Sequence, residues 1–155
     1  MMKLSYDVIS KLQGKTLATA ESCTGGGIGA ALTSVPGSST VYKGGIISYT
    51  NAVKTEILLV NPILLDREGA VSSAVAEAMA EGAKKVLKAD VAVSVTGLAG
   101  PGGDEHGNPV GTVYIGYSDV RHTISRCYLF SGDREQVRSK AVEAALQAIL
   151  EETES

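Results

Sequence analysis

Tryptophan is absent from this chain of 155 residues and phenylalanine occurs once, so its core has to be built mainly from valine, isoleucine, leucine and alanine. Cysteine is nearly as scarce. Cys23 and Cys127 stand far apart and without metal-ligand spacing, which excludes a disulfide framework, gives no metal site and leaves two reduced thiols. Histidine is limited to His106, in a glycine-rich stretch, and His122, at an expected hairpin tip. Both are places for solvent-facing residues, so a Ser-His-Asp triad lacks its base. No Gly-Lys-Ser or Gly-Lys-Thr occurs, which removes a Walker loop. No stretch approaches bilayer-spanning length, and Met1 to Asp7 has neither a long apolar run nor a small-residue cleavage site; a cytoplasmic protein with no membrane contact is expected. An excess of positive charge is also missing. The net charge of −3 argues against nucleic acid as a partner, while leaving room for a local pocket that takes one phosphate.

What is present reads as one domain over residues 1–155, with 44% hydrophobic and 20% charged residues. Leu4, Val8, Ile9 and Leu12 repeat at helical spacing up to a stop at Gly14, and Thr16 to Ala20 is a first strand. A second helix runs from Gly26 to Val35, closed by Pro36-Gly37. Val41 to Tyr49 is a strand whose Gly44 and Gly45 signal a bulge or a close backbone approach, and Asn51 is placed to cap the helix carrying Lys54. A break and short turn are expected at Asn61-Pro62, then a long alanine-rich helix capped by Ser72 or Ser73 and ending near Leu87. Asp90 to Thr96 is a continuous apolar strand of the kind buried on both faces. After the glycine-rich loop from Gly97 to Pro109, Val110 to Tyr117 and Thr123 to Phe130 form a hairpin. A last helix from about Asp133 buries Val137, Ala141, Ala145 and Ile149. The alternation predicts an α/β fold, a three-layer α/β/α sandwich around a mixed sheet.

The segment Ala20-Glu21-Ser22-Cys23-Thr24-Gly25-Gly26-Gly27 carries the most chemistry. A small-residue strand runs into hydroxyls, a thiol and three glycines before a helix, which presents a nucleophile beside main-chain donors that attract negative charge. The plainer alternative is a strand-to-helix connection whose Ser and Thr only cap the helix. Gly25-x-Gly27-x-x-Ala30 matches a dinucleotide fingerprint weakly, because Ser48 and Tyr49 stand where an acidic ribose ligand is needed. With no histidine base, Lys54 remains as the group that can take a proton from Ser22; burial would disfavour its ammonium form. Its alternative is a solvated lysine or one that pairs with phosphate. Thr96 and Gly97 end a buried strand, where open α/β sheets collect ligands. Arg134 and Arg138, one turn apart, are either an anion site or a solvated face.

Six motifs in order are similar to those of the CinA C-terminal domain family: Ala20 to Gly26, Tyr49-Thr50-Asn51-Ala52-Val53-Lys54, Gly69-Ala70-Val71-Ser72, Thr96 to Gly103, Pro109 to Val113, and Phe130-Ser131-Gly132-Asp133-Arg134. The resemblance covers nearly the whole chain. It implies a nicotinamide-nucleotide amidase that hydrolyses nicotinamide mononucleotide to nicotinic acid mononucleotide and ammonia, with no cofactor and no metal. Carried over by motif, the catalytic residues are Ser22 as the nucleophile, Lys54 as its base, and Tyr49, which either tunes Lys54 or holds the base ring. Substrate contacts are expected from Thr24, Gly25, Gly26, Thr96, Gly97 and Arg138, with main-chain N–H groups around Thr24 to Gly26 facing the oxyanion. A homo-oligomer is expected. The competing reading is a non-catalytic nucleotide-binding or interaction module, linked to competence or DNA damage.

Overall fold

The computed structural model describes residues 1–154 and has one five-stranded sheet in the order β2-β1-β3-β4-β5. In chain order the elements are α1 (Met2–Lys11), β1 (Leu17–Glu21), α2 (Gly27–Thr33), β2 (Tyr42–Ile47), α3 (Asn51–Glu56), α4 (Pro62–Glu68), α5 (Ser73–Val86), β3 (Val91–Gly97), β4 (Thr112–Ser118), β5 (Thr123–Leu129) and α6 (Arg134–Glu152). β1 lies between β2 and β3, parallel to both, and the antiparallel β4 and β5 complete the sheet. The expected mixed sheet with helices on both faces is therefore what forms.

Strand alternation explains why the two faces differ. Leu17, Val91, Val93, Val95, Val113, Ile115 and Tyr117 point to one side, where they form the large core with α1, α2 and α6. Ala18, Ala20 and Ala92 point to the other, and there α5 packs with Leu58, Val60 and Leu65. Small residues on that second face let α5 come close. The Ser94 hydroxyl donates to the Ala76 carbonyl at 2.5 Å, and Thr96 donates to that of Ala70 at 2.8 Å. A Cβ at Gly116 would stand 2.2 Å from the Ala76 oxygen.

The glycine pair of β2 behaves as its sequence suggests. The register moves from Leu17 opposite Tyr42 to Ala18 opposite Gly44, leaving Lys43 as the extra residue of a bulge. Two local expectations need correction. Thr50, not Asn51, caps α3, its hydroxyl accepting from Val53 N–H, and Asn51 is already the first helical residue. Asn61-Pro62 begins a helix rather than a break: Asn61 Oδ1 accepts from Ile63 N–H at 2.9 Å, and Pro62 occupies a first-turn position where no N–H is needed.

Close packing of α5 on β4 gives a direct test. Gly116→Ala should lower unfolding free energy by about 1–3 kcal/mol through overpacking. Gly102→Ala, where an added Cβ meets nothing within 4 Å, should change it by less than about 0.5 kcal/mol. Denaturant midpoints of the two variants measure the difference.

Candidate active site

The C-terminal ends of the parallel strands β1, β2 and β3 converge on a cleft of about 830 Å³. β1 ends at Glu21, and the Ser22 N–H continues its pairing by donating to the Val95 carbonyl at 3.0 Å. Because successive residues face opposite sides of a strand, Glu21 turns towards α2, and Ser22 turns towards α3 and the cleft. β2 then delivers Ser48 beside β1, its N–H donating to the Glu21 carbonyl at 2.8 Å. The short helix α3 folds back from there and buries Lys54.

Lys54 is 1% exposed and its Nζ has two partners, the Ser48 carbonyl at 2.8 Å and the Ser22 Oγ at 3.2 Å. Burial pushes the Lys54 ammonium down from 10.5 to about 8. A sizeable fraction of the amine is thus unprotonated near neutral to mildly alkaline pH, with a lone pair within hydrogen-bond reach of the serine hydroxyl. The adjacent thiol is set the opposite way. Cys23 is buried, and desolvation pushes it up to about 11, so the neutral thiol is a poor rival to Ser22.

Of the residues singled out by sequence, Ser22, Lys54, Tyr49, Thr96 and Gly97 all line the cleft. Tyr49 is 58% exposed, and its hydroxyl accepts from Arg134 Nη2 at 3.1 Å. Arg134 also donates to the Gly100 carbonyl at 2.6 Å, so it joins the β2 end to the second glycine loop across the mouth of the cleft. Thr96 spends its hydroxyl on Ala70, and Gly97 is packed against β4 so tightly that a Cβ would lie 2.8 Å from the Thr112 oxygen.

Arg138, Thr24, Gly25 and Gly26, also expected to contact substrate, are not among the residues that line the cleft. Arg138 donates from Nε to the Cys23 carbonyl at 3.0 Å and from Nη2 to the Thr24 carbonyl at 3.2 Å. The Thr24 hydroxyl donates to Glu21 at 2.6 Å. Gly25 N–H closes a turn onto the Ser22 carbonyl at 3.1 Å and so is not free for an oxyanion. Gly26, at φ 107°, is the left-handed residue that starts α2. Among the described residues, the Cys23 and Thr24 N–H groups donate to no backbone carbonyl. A planar trans peptide points its C=O and N–H in opposite directions, so holding the Cys23 carbonyl on Arg138 turns the Thr24 N–H away from that guanidinium.

Sequence reading missed His106 as a cleft residue and left Arg134 between an anion site and a solvated face; both line the cleft. His106 packs against Gly69, where a Cβ would stand 2.6 Å from its ring, and it lines the cleft with Asp66 and Glu105. The glycine at 69, at φ 80°, is what admits the ring, and sequence shows neither the angle nor the ring.

Fold and site together define a class: an α/β sandwich whose parallel strand ends hold a serine and a buried lysine in hydrogen-bond contact. The CinA C-terminal domain model matches residues 2–153, and the chain belongs to that family. A CinA-like protein of Thermosynechococcus vestitus is 55% identical over 121 residues, 77% of this chain and 29% of that protein. One from Synechococcus sp. is 48% identical over 150 residues, covering 94% of this chain and 36% of the relative. The chain thus spans about a third of the length of these curated relatives. The crystal structure of the competence damage-inducible protein A from Klebsiella pneumoniae superposes with a TM-score of 0.95 at 37% identity, covering 97% of this chain and 95% of that one.

The buried amine makes stability depend on pH. With a folded value near 8 and an ordinary value of 10.5, the unfolded chain binds the proton more tightly, so the Lys54 contribution grows as pH rises from 8 to 10.5. Against Lys54→Met, which cancels the other titrations, wild type should gain up to about 3 kcal/mol across that window, measured by urea unfolding at each pH.

Proposed function

We propose that this domain is an amidase that hydrolyses nicotinamide mononucleotide to nicotinic acid mononucleotide and ammonia through a Ser22 acyl-enzyme. The observation that carries the reading is the 3.2 Å contact between Ser22 Oγ and a buried Lys54 whose proton is held loosely. A binding module has no use for a nucleophile and base arranged in this way.

With one N–H engaged on the Ser48 carbonyl, the neutral Lys54 amine has its lone pair available for the serine proton. Ser22 Oγ attacks the carboxamide carbon as Lys54 takes that proton. The tetrahedral intermediate collapses when the Lys54 ammonium returns a proton to the departing nitrogen, releasing ammonia and leaving an ester on Ser22. Water, deprotonated by Lys54, then attacks the ester; the acid leaves and the serine recovers its proton. The Thr24 N–H supports the developing oxyanion, a type of contact worth about 3 kcal/mol.

The cleft also suits a substrate with charges of both signs. Arg134 and His106 offer partners for a phosphate, and Asp66 and Glu105 offer partners for a pyridinium ring. The volume of about 830 Å³ is in the range of small-molecule sites.

Ammonia release from nicotinamide mononucleotide by metal-free protein should fall by at least about a thousandfold in folded Ser22→Ala and Lys54→Ala variants. Cys23→Ala should keep its rate, because the neutral buried thiol takes no part. In wild type, kcat/KM should rise with pH through an apparent pKa near 8 as Lys54 loses its proton, then level off. Binding of the mononucleotide without ammonia release would favour the interaction module instead.

A further inference from the structure

Glu21, the strand residue immediately before the nucleophile, is 2% exposed and carries an acidic side chain into the protein interior. Its Oε1 accepts from the Thr24 hydroxyl at 2.6 Å and from Ile28 N–H at 2.8 Å, and its Oε2 accepts from Gly29 N–H at 3.0 Å. Helix α2 has Gly26 at its N-cap, which has no side chain to bond the first-turn amides. Glu21 performs that task from the preceding strand. The main-chain donors that the glycine motif offers to an outside anion are therefore satisfied by an anion of the chain itself.

We infer that Glu21 is a positioning residue for Ser22: its carboxylate ties the first turn of α2 and the Thr24 hydroxyl to the end of β1, so that the loop between them has one shape. Ser22 to Gly26 spans only five residues between β1 and α2 and is held from two sides. Glu21 holds Thr24 by its side chain, and Arg138 holds the Cys23 and Thr24 carbonyls. A loop fixed at both edges keeps Ser22 Oγ on Lys54 without reorganisation at the moment of attack. Glutamine has nearly the same shape, but its amide would bring N–H donors against the N–H and hydroxyl donors now served by the carboxylate. Aspartate keeps the charge and is one methylene shorter.

This inference rests on Ser22 being the nucleophile, and its test separates the two ideas by reading Ser22 directly as well as through turnover. Wild type, Glu21→Gln, Glu21→Asp and Thr24→Val are compared in three ways: thermal midpoint, kinetics of ammonia release from nicotinamide mononucleotide, and rate of Ser22 modification by an alkyl fluorophosphonate followed by mass spectrometry. In the folded Glu21→Gln protein, kcat and the modification rate should fall together, by on the order of tenfold to a hundredfold, with KM unchanged. Thr24→Val, which removes one of the three contacts, should show a smaller loss of the same kind. A lowered thermal midpoint with an unchanged modification rate and kcat in the folded variants would make Glu21 structural only and overturn the inference. Modification of wild-type Ser22 without ammonia release would refute the proposed substrate, and the variants' modification rates would still decide Glu21. A wild-type Ser22 that the fluorophosphonate never modifies would overturn the nucleophile and the positioning role together.

Discussion

The site depends on keeping one amine almost wholly buried at the edge of the cleft. Lys54 lies in the short helix α3, and among the described residues its ammonium has the Ser48 carbonyl and the Ser22 hydroxyl as partners. Burial rather than a neighbouring charge sets its proton affinity, since loss of solvent penalises the charged form. The surrounding architecture serves this end. The β2 bulge carries the strand along β1 so that Ser48 N–H reaches the Glu21 carbonyl, and its own carbonyl is left for Lys54. The Thr50 cap then turns the chain immediately into α3.

Much of the architecture was legible because it follows from short-range chemistry. The four-residue spacing of Val137, Ala141, Ala145 and Ile149 marked the buried stripe of α6, and all four are buried. Gly44 and Gly45 marked the bulge, and the apolar run from Val91 marked a strand covered on both faces. Local ambiguity accounts for the misses. Thr50 and Asn51 are both good caps standing side by side, and only the backbone angles decide between them. Asn61-Pro62 is as good a helix start as a turn, and Leu65, buried against α5, resolves it only in three dimensions.

The site was legible in its chemistry and less so in its directions. Ser22 and Lys54 were identified as residue types that make a nucleophile and base, and strand order brings them together across 32 positions of sequence. Sequence chose Arg138 over Arg134 as a substrate contact, although the two are arginines a turn apart at the start of one helix. Four residues of helix amount to only about 40° of rotation but about 6 Å of rise, so the two leave nearly the same face at different heights, Arg138 meeting the Cys23 and Thr24 carbonyls and Arg134, in the first turn, the mouth of the cleft. Arg138 thereby acts on main-chain carbonyls, for which a planar fork of donors suits it as well as it would suit a phosphate.

Glu21 and Lys54 show how one strand end can hold two buried ionisable groups without pairing them. They lie on opposite sides of β1 and have unequal company: three donors replace water around the carboxylate, whereas the amine keeps two acceptors, one of them the hydroxyl it would deprotonate. A direct salt bridge between them would hold the Lys54 proton more firmly and remove its use as a base. Strand alternation prevents that contact, since adjacent residues cannot face the same side of a sheet. Placing Ser22 directly after Glu21 therefore puts the nucleophile on the side of the amine and the negative charge on the side of the helix. The same alternation explains why an acidic residue can stand next to the nucleophile in sequence without neutralising the site's reactivity.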